Sequence, residues 1–446
     1  MMSTERKRIA QLRHGQVPKG YQMTRFGIVP SDWMTFRVGD CLERVERSVE
    51  VQADKFYTQI GIRSHGKGLF YKEQVAGVEL GKKAVFWIEP DCFILNIVFA
   101  WEQAIGKTTQ AEVGMIGSHR FPMYRPVKDR VDIDYLISFF LTKRGTDILE
   151  AASPGGAGRN KTLGQDRFLK SKIVLPPLPE QRKIAAILAT QDKVIELYER
   201  KIEQLQLLKK NCLRKMFPRH GNDTPEVRFR GFTGTWERKR LGDLFTEYAE
   251  KGRPELPALM TIQGGGTVLR DESDRKLQYD KHSLSNYKVA NKGDFIVHLR
   301  SFEGGLEIVT TPGLISPAYH VFHGKRINPR FYYAYFRSVD FIECDLKPHV
   351  YGIRDGRSID IEGMKTIMIP HVSLKEQQAI GNCIESFDRL IALNQRKRDE
   401  EKQKKKALMQ LLLTGIVRVG KAASCRLERA GNEAAGSRFS TRIAKV

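Results

Sequence analysis

The chain repeats itself, and an internal repeat restricts the possible architectures more than any other feature of a sequence. Trp33 and Gly39-Asp40 recur as Trp236 and Gly242-Asp243, 203 residues further on in each case. A longer match follows. Glu180, Gln181, Ile184, Asp192, Ile195, Leu197, Arg200, Lys201, Lys209 and Lys210 recur 196 residues later as Glu376, Gln377, Ile380, Asp388, Ile391, Leu393, Arg396, Lys397, Lys405 and Lys406. The order is therefore mixed segment, helical segment, mixed segment, helical segment, with each mixed stretch roughly 150 residues and each helical one roughly 40. Between the matched borders the halves diverge: Gly61-Ile62-Arg63-Ser64-His65-Gly66-Lys67-Gly68 stands where the second half has Thr261-Ile262-Gln263-Gly264-Gly265-Gly266-Thr267. A shared frame with different loops suits two modules doing one job on two targets.

The helical segments are the clearest local signal. From Pro179, tolerated in a first helical turn, no further Gly or Pro occurs until Pro218. Apolar residues Ile184, Ile187, Val194, Tyr198, Leu205, Leu208 and Cys212 alternate three and four apart, with Gln191 and Lys201 as polar interruptions. The second segment runs from about Leu374 to Thr414 and meets Gly415, a C-capping residue. Its seam reads Ile380, Cys383, Phe387, Leu390, Asn394, then polar Lys397, Glu401 and Lys404, then Leu408 and Leu411. The 196-residue offset is 28 heptads, so both helices keep one phase, as expected of equivalent helices that pack on each other. Two separate amphipathic helices, each lying on its own domain, is the alternative. At 1.5 Å per residue each spans about 50–60 Å.

The mixed segments alternate short apolar runs with turn signals. Val85–Ile88, Cys92–Leu95, Ile97–Phe99, Asp294–Leu299 and Tyr319–Phe322 read as strands. Tyr135–Leu141, ending near Gly145, and Pro329–Phe341 read as helices. This is a mixed α/β domain used twice.

The 446 residues carry 75 Lys plus Arg against 52 Asp plus Glu, a formal charge of +23. That excess points to a polyanionic partner, nucleic acid first and an anionic membrane surface second. No apolar run approaches the roughly 20 residues of a membrane helix, and Met1–Arg8 lacks the apolar core of a leader, so a cytoplasmic protein is expected. Cys41, Cys92, Cys212, Cys344, Cys383 and Cys425 form no Cys-x-x-Cys pair, which argues against zinc and against a disulfide framework.

Catalytic motifs fail one by one. Gly61–Gly68 lacks the hydroxyl of a phosphate loop, and Ala104-Ile105-Gly106-Lys107-Thr108 has Trp101 where the first glycine belongs. Gly264-Gly265-Gly266 makes no dinucleotide loop. His320 and His323 fall on or just past a strand, where i and i+3 side chains point to opposite faces. Neither a Gly-x-Ser-x-Gly elbow nor an Asp/Asn-Pro-Pro-Tyr/Phe signature is present. The chain reads as non-catalytic, with no metal site.

Lys and Arg position a reader on phosphates, while Arg, Asn, Gln and His specify base edges. Such residues cluster at Arg63, Ser64, His65 and Lys67, and again at Arg159, Asn160 and Lys161 beside Pro154-Gly155-Gly156. Lys107 joins them. In the second half the counterparts are Gln263, Arg300, Tyr351, Arg354 and Arg357.

Leu175-Pro176-Pro177-Leu178-Pro179-Glu180-Gln181 with its long helix, echoed by Ile369-Pro370 and Glu376-Gln377, resembles the specificity subunits of type I restriction–modification systems. Gly304-Gly305-Leu306, Ser316-Pro317-Ala318-Tyr319 and Gly117-Ser118-His119-Arg120-Phe121 are similar to strings in those domains. The second copy departs from the pattern, with His371-Val372-Ser373-Leu374 in place of Pro177-Leu178. The resemblance implies two target recognition domains, 1–178 and 219–372, and two long helices, 179–218 and 373–416, forming an antiparallel coiled coil, with a basic tail over 417–446. It implies double-stranded DNA as ligand and a split target, one half read by each domain. Two modification subunits and the restriction/translocase subunits would be its protein partners. S-adenosylmethionine, ATP and Mg would sit on those partners and none on this chain. A coiled-coil scaffold or nucleic-acid-binding interaction protein outside restriction–modification is the alternative.

Overall fold

The computed structural model describes residues 8–12, 14–81, 84–155, 161–272, 281–298, 301–352 and 358–419. The chain divides into two compact units. Unit 1 joins residues up to Glu196 with those from Asp399 onward, and unit 2 is Leu197–Arg398. These borders cut through both long helices, so they differ from the contiguous borders drawn on the sequence.

Each unit is built on an antiparallel four-stranded sheet of the same order. In unit 1 the strands run Leu42–Val45, Met123–Pro126, Phe93–Leu95, Ile105–Lys107. In unit 2 they run Phe245–Tyr248, His320–Gly324, Phe295–Val297, Glu307–Ile308. A helix lies against each, Ile133–Phe140 and Pro329–Phe336, started by the Asp132 and Asn328 side chains, which accept from the Tyr135 and Phe331 amides. Aromatic rings fill the space between helix and sheet: Phe93, Tyr124, Phe140 and Phe168 in unit 1, and Phe245, Phe295, Tyr332 and Phe336 in unit 2. A two-stranded ribbon then leads into each long helix, Met34–Arg37 with Lys172–Leu175 and Glu237–Arg240 with Met368–His371. The repeated glycine after each ribbon is there for room. A Cβ on Gly39 would come to 3.3 Å from Leu169, and one on Gly242 to 3.2 Å from Lys365, which is the residue 196 places on.

One strand expected from the sequence is a turn. Ile97-Val98-Phe99 leaves the sheet because the Asn96 side chain accepts from the Val98 amide at 3.0 Å and its carbonyl accepts from Phe99 at 3.1 Å. The helix expected over Pro329–Phe341 stops at Phe336. Among the described residues, no helix is long and apolar enough to cross a membrane.

The long helices are Leu178–Met216 and Leu374–Leu413, the second closed by Gly415 at φ +74°. Their shared Glu-Gln start has the same task twice. Gln181 is fully buried, accepts from the Asp132 amide at 2.9 Å and donates to the carbonyls of Pro176 and Arg130 at 2.9 and 3.0 Å. Gln377, also fully buried, accepts from the Asn328 amide and donates to the Val372 carbonyl, both at 2.8 Å. Each amide thus ties ribbon, long helix and module helix together. The preceding glutamates meet arginines from beyond the other long helix: Glu180 takes Arg418 at 2.8 Å, and Glu376 takes Arg228 at 2.6 Å. Hydrogen bonding to Arg418 also holds the Asp32 carboxyl below its ordinary range.

Within each unit the two helix segments run antiparallel. In unit 1, Glu180 meets Arg418 and, a dozen residues on, Asp192 meets Lys405, so partner numbers fall along the helix. In unit 2 Lys209 meets Asp388 at 2.6 Å, the repeat of the Asp192–Lys405 pair at 2.5 Å.

The seam keeps the expected period but not the expected second line. Ile184, Gln191, Tyr198, Leu205 and Cys212 lie on it, as do Ile380, Phe387, Asn394, Glu401 and Leu408. Their companions are four residues on rather than three: Leu188, Ile195 and Ile202 in the first helix, and Ile384, Ile391 and Leu412 in the second. Leu208 is 51% exposed and Leu390 47% exposed, so neither is a seam residue. Val194 and Leu411 are half-buried. Ile187 and Cys383 are half-buried against the same clusters as Leu188 and Ile384, and Cys383 lies near Cys212 of the other helix.

Leu188→Ala or Ile202→Ala should lower stability by about 2–4 kcal/mol, and Leu208→Ala by about 0.5 kcal/mol or less, in denaturant unfolding. Gln181→Ala leaves a buried amide and two carbonyls unpartnered and should cost about 2–3 kcal/mol, with Gln377→Ala similar.

Candidate nucleic-acid interface

In unit 1 the strands Phe56–Ile62 and Leu69–Ala76 form a hairpin whose last pair is Ile62 with Leu69, leaving Arg63–Gly68 as its tip. The Arg63 amide closes the tip on the Gly68 carbonyl at 3.0 Å, and His65, Gly66 and Gly68 take φ of +61°, +64° and +72°. The tip sits on the helical turn Ala100–Glu102. The His65 amide donates to the Glu102 carbonyl at 2.8 Å, Gly66 to Gln103 at 2.9 Å, and the Ser64 hydroxyl to the Glu102 carboxylate at 3.0 Å. Ser64 is thereby occupied internally, whereas Arg63, His65 and Lys67 are exposed. The Arg63 guanidinium lies 5.1 Å from the centre of the Phe70 ring, which stiffens a long side chain while leaving its charge available.

Lys161 comes to the same turn from the far side of the sequence, its ammonium 5.1 Å over the Trp101 ring. Lys161 and the Arg63–Gly68 tip, nearly a hundred residues apart, thus converge on one turn. Lys107 does not join them: it is paired with Asp134 at 2.9 Å, which neutralises its charge locally. Arg159, Asn160, Arg300, Arg354 and Arg357 lie outside the described residues.

In unit 2 the equivalent hairpin pairs Leu259–Ile262 with Gly266–Leu269, and its tip is Gln263-Gly264-Gly265. Gln263 is exposed and rests against the turn Ser301–Gly304, where a Cβ on Gly304 would strike its amide at 2.5 Å. Beneath the tip lies the carboxylate of Glu307, which accepts from the Gly264 and Gly266 amides at 2.7 and 2.9 Å. Tyr333 and Arg337 complete its partners at 2.8 and 2.6 Å. Burial and the adjacent carboxylate push the Tyr333 hydroxyl far above its ordinary pKa, so it stays a donor. Tyr351 is 59% exposed on the strand Val350–Tyr351, which pairs with Ser358–Ile359.

Glu102, Trp101 and Glu307 escaped sequence reasoning. A signal existed for Glu307, a lone charge inside the apolar run Leu306–Val309. The Gly61–Gly68 stretch is a strand–turn–strand, so it has no helix start to offer a phosphate. His320 and His323 each meet their own carboxylate, Glu247 at 2.7 Å and Asp294 at 2.8 Å. Among the described residues no group of three or more His, Cys, Asp or Glu could hold a metal ion.

A family model described as type I restriction modification DNA specificity domain matches residues 30–207 and again 233–403, once per repeat. The type I restriction enzyme MjaVIII specificity subunit of Methanocaldococcus jannaschii is 23% identical over 419 residues, 88% of this chain and 94% of that relative. A solved chain described under complex assembly and conformational transition of the type I R-M system aligns with a TM-score of 0.54 at 17% identity, over 87% of this chain and 99% of that one. A type I restriction-modification S subunit from M. genitalium aligns with a TM-score of 0.50 at 11% identity, over 85% and 96%. These structural likenesses show the fold, and the family model covers both repeats. The chain belongs to the type I restriction modification DNA specificity domain family.

Proposed function

We propose that this chain is the DNA-reading subunit of a type I restriction–modification complex, each unit inspecting one half of a split target. One observation carries this reading. The two units share sheet order, helix caps, the glutamine tie and the helix ion pairs, yet they present different chemistry at one exposed place, the hairpin tip. The first tip is basic, with Arg63, His65 and Lys67, and the second offers the amide of Gln263 among glycines. A cation on a phosphate and an amide on a base edge are the two means by which proteins hold and read duplex DNA. The formal charge of +23 supports the same partner.

The chain itself supplies recognition and no chemistry. Methyl transfer to adenine would be done by two modification subunits with S-adenosylmethionine, and cleavage by restriction/translocase subunits using ATP and Mg, all in the cytoplasm. The family membership does not favour a scaffold outside restriction–modification.

Long-read methylation mapping of the host should show a two-part adenine motif that disappears when this chain is deleted. Survival of every motif after deletion would refute the reading. With the modification subunit present, DNA affinity should fall with salt at a log–log slope of about −0.9 for each phosphate neutralised. A flat salt response would contradict a phosphate-anchored reader.

A further inference from the structure

We propose that Glu307 is the positioning residue of the second reading tip: from beneath, it fixes Gln263–Gly265 in the one shape that presents Gln263 to a base edge. This rests on the DNA-reading function proposed above and assigns the specificity of one half-site to a named pair of residues.

Glu307 is 0% exposed, yet its two oxygens take the Gly264 and Gly266 amides at 2.7 and 2.9 Å, Tyr333 at 2.8 Å and Arg337 at 2.6 Å. Two of those four donors belong to the backbone of the tip. Arg337 also donates to the Gly304 carbonyl at 2.8 Å, so the same hub holds the turn against which Gln263 rests.

Gly264 and Gly266 take φ of +78° and +73°, and apart from one turn bond, from the Gly265 amide to the Ile262 carbonyl at 2.9 Å, three glycines in a row have little shape preference of their own. A reading side chain on such a tip would be blurred, because base-edge hydrogen bonds demand placement within roughly 0.5 Å. The carboxylate supplies the missing preference. A buried ion pair is a poor way to gain stability, since apolar residues of the same volume commonly do as well. Two of its bonds go to backbone amides on either side of Gly265, one in the exposed tip and one at the buried start of the next strand, and that use of a buried charge is explained by holding the turn's shape.

In the other unit an acidic residue also holds the tip, there from the adjoining turn rather than from a strand, with Glu102 accepting the Ser64 hydroxyl at 3.0 Å and its carbonyl accepting the His65 amide at 2.8 Å. Ile262, on the shoulder of the second tip, is 42% exposed, and Gln263 is exposed beside it with its side chain along Gly304. Its amide has the paired donor and acceptor that match an adenine edge in the major groove.

The test maps methylated motifs in cells that express the full-length chain with its modification subunit, as wild type, Glu307→Gln, Gln263→Ala and Arg63→Ala. Glutamine keeps the volume of Glu307 but cannot accept from all four donors. Glu307→Gln should relax the preference at one or two base pairs of one half-site by about tenfold, leaving the other half as sharp as wild type. Gln263→Ala should relax the same base pairs, and Arg63→Ala only the opposite half. A purely structural role would lower methylation everywhere without blurring particular positions. The proposal is overturned if Glu307→Gln keeps full stringency, loosens both halves alike, or blurs positions other than those of Gln263→Ala. Should Glu307→Gln fail to accumulate, the exposed Gln263→Ala decides: an unchanged motif overturns the proposal. A wild-type chain that directs no split motif would instead bring down the DNA-reading function itself.

Discussion

A single buried amide at the start of each long helix holds the rest of the structure in place. Gln181 and Gln377 each accept from the residue that caps the module helix and donate to a carbonyl at the end of the ribbon. Helix, ribbon and sheet would otherwise meet with unsatisfied backbone groups in a dry interior, where each such group is costly. The neighbouring glutamates are almost as deeply placed, and each is matched by an arginine from past the opposite long helix. The repeated dipeptide thus anchors a rod to a module and brings the second rod's trailing segment to the same point.

The helix pairing inside each unit then follows from phase. With 28 heptads between equivalent positions, a residue that faces the seam in one helix has its counterpart facing the seam in the other. That is why Asp192–Lys405 in unit 1 reappears as Lys209–Asp388 in unit 2. The seam is partly polar, with Gln191 donating to Glu401 and with Asn394 buried, so it is specified by hydrogen bonding as well as by apolar area. The hairpin tips are held by a neighbouring turn, an acidic residue and a few side chains of the frame, Leu141 beside Gly66 and Arg337 beside Gly264, while Arg63, Lys67 and Gln263 lie at the surface.

Much of this was legible in the sequence, and the failures have physical reasons. The duplication, both long helices, the heptad phase and the doubled α/β module could be read from spacing alone. The second line of the seam could not. Ile187 and Leu188 are both apolar and adjacent, and which of them is the more deeply buried, Leu188, is decided only when the chain packs. Ile97–Phe99 looked like a strand because its side chains are apolar, while its shape is set by the Asn96 side chain. At the tips, Arg63, Lys67 and Gln263, picked out by side-chain type alone, stand exposed. Lys107 carries the same chemistry but is neutralised by Asp134, a partner 27 residues away that only the fold brings near. Glu307 was missed for the opposite reason: it acts on backbone amides, which carry no mark in a sequence.

The division of the chain into a nested and an interrupted unit has a consequence for its birth on the ribosome. Unit 2 is one unbroken stretch, whereas unit 1 is closed by bonds such as Tyr21 to Gly415, 394 positions apart. At about 5–20 residues per second, the leading half of the first rod emerges about 10–40 s before the strip that will cover Leu188 and Ile195. The half made first is therefore the half finished last, and it is this nascent stretch, greasy on one side, that a cell must shield from its neighbours.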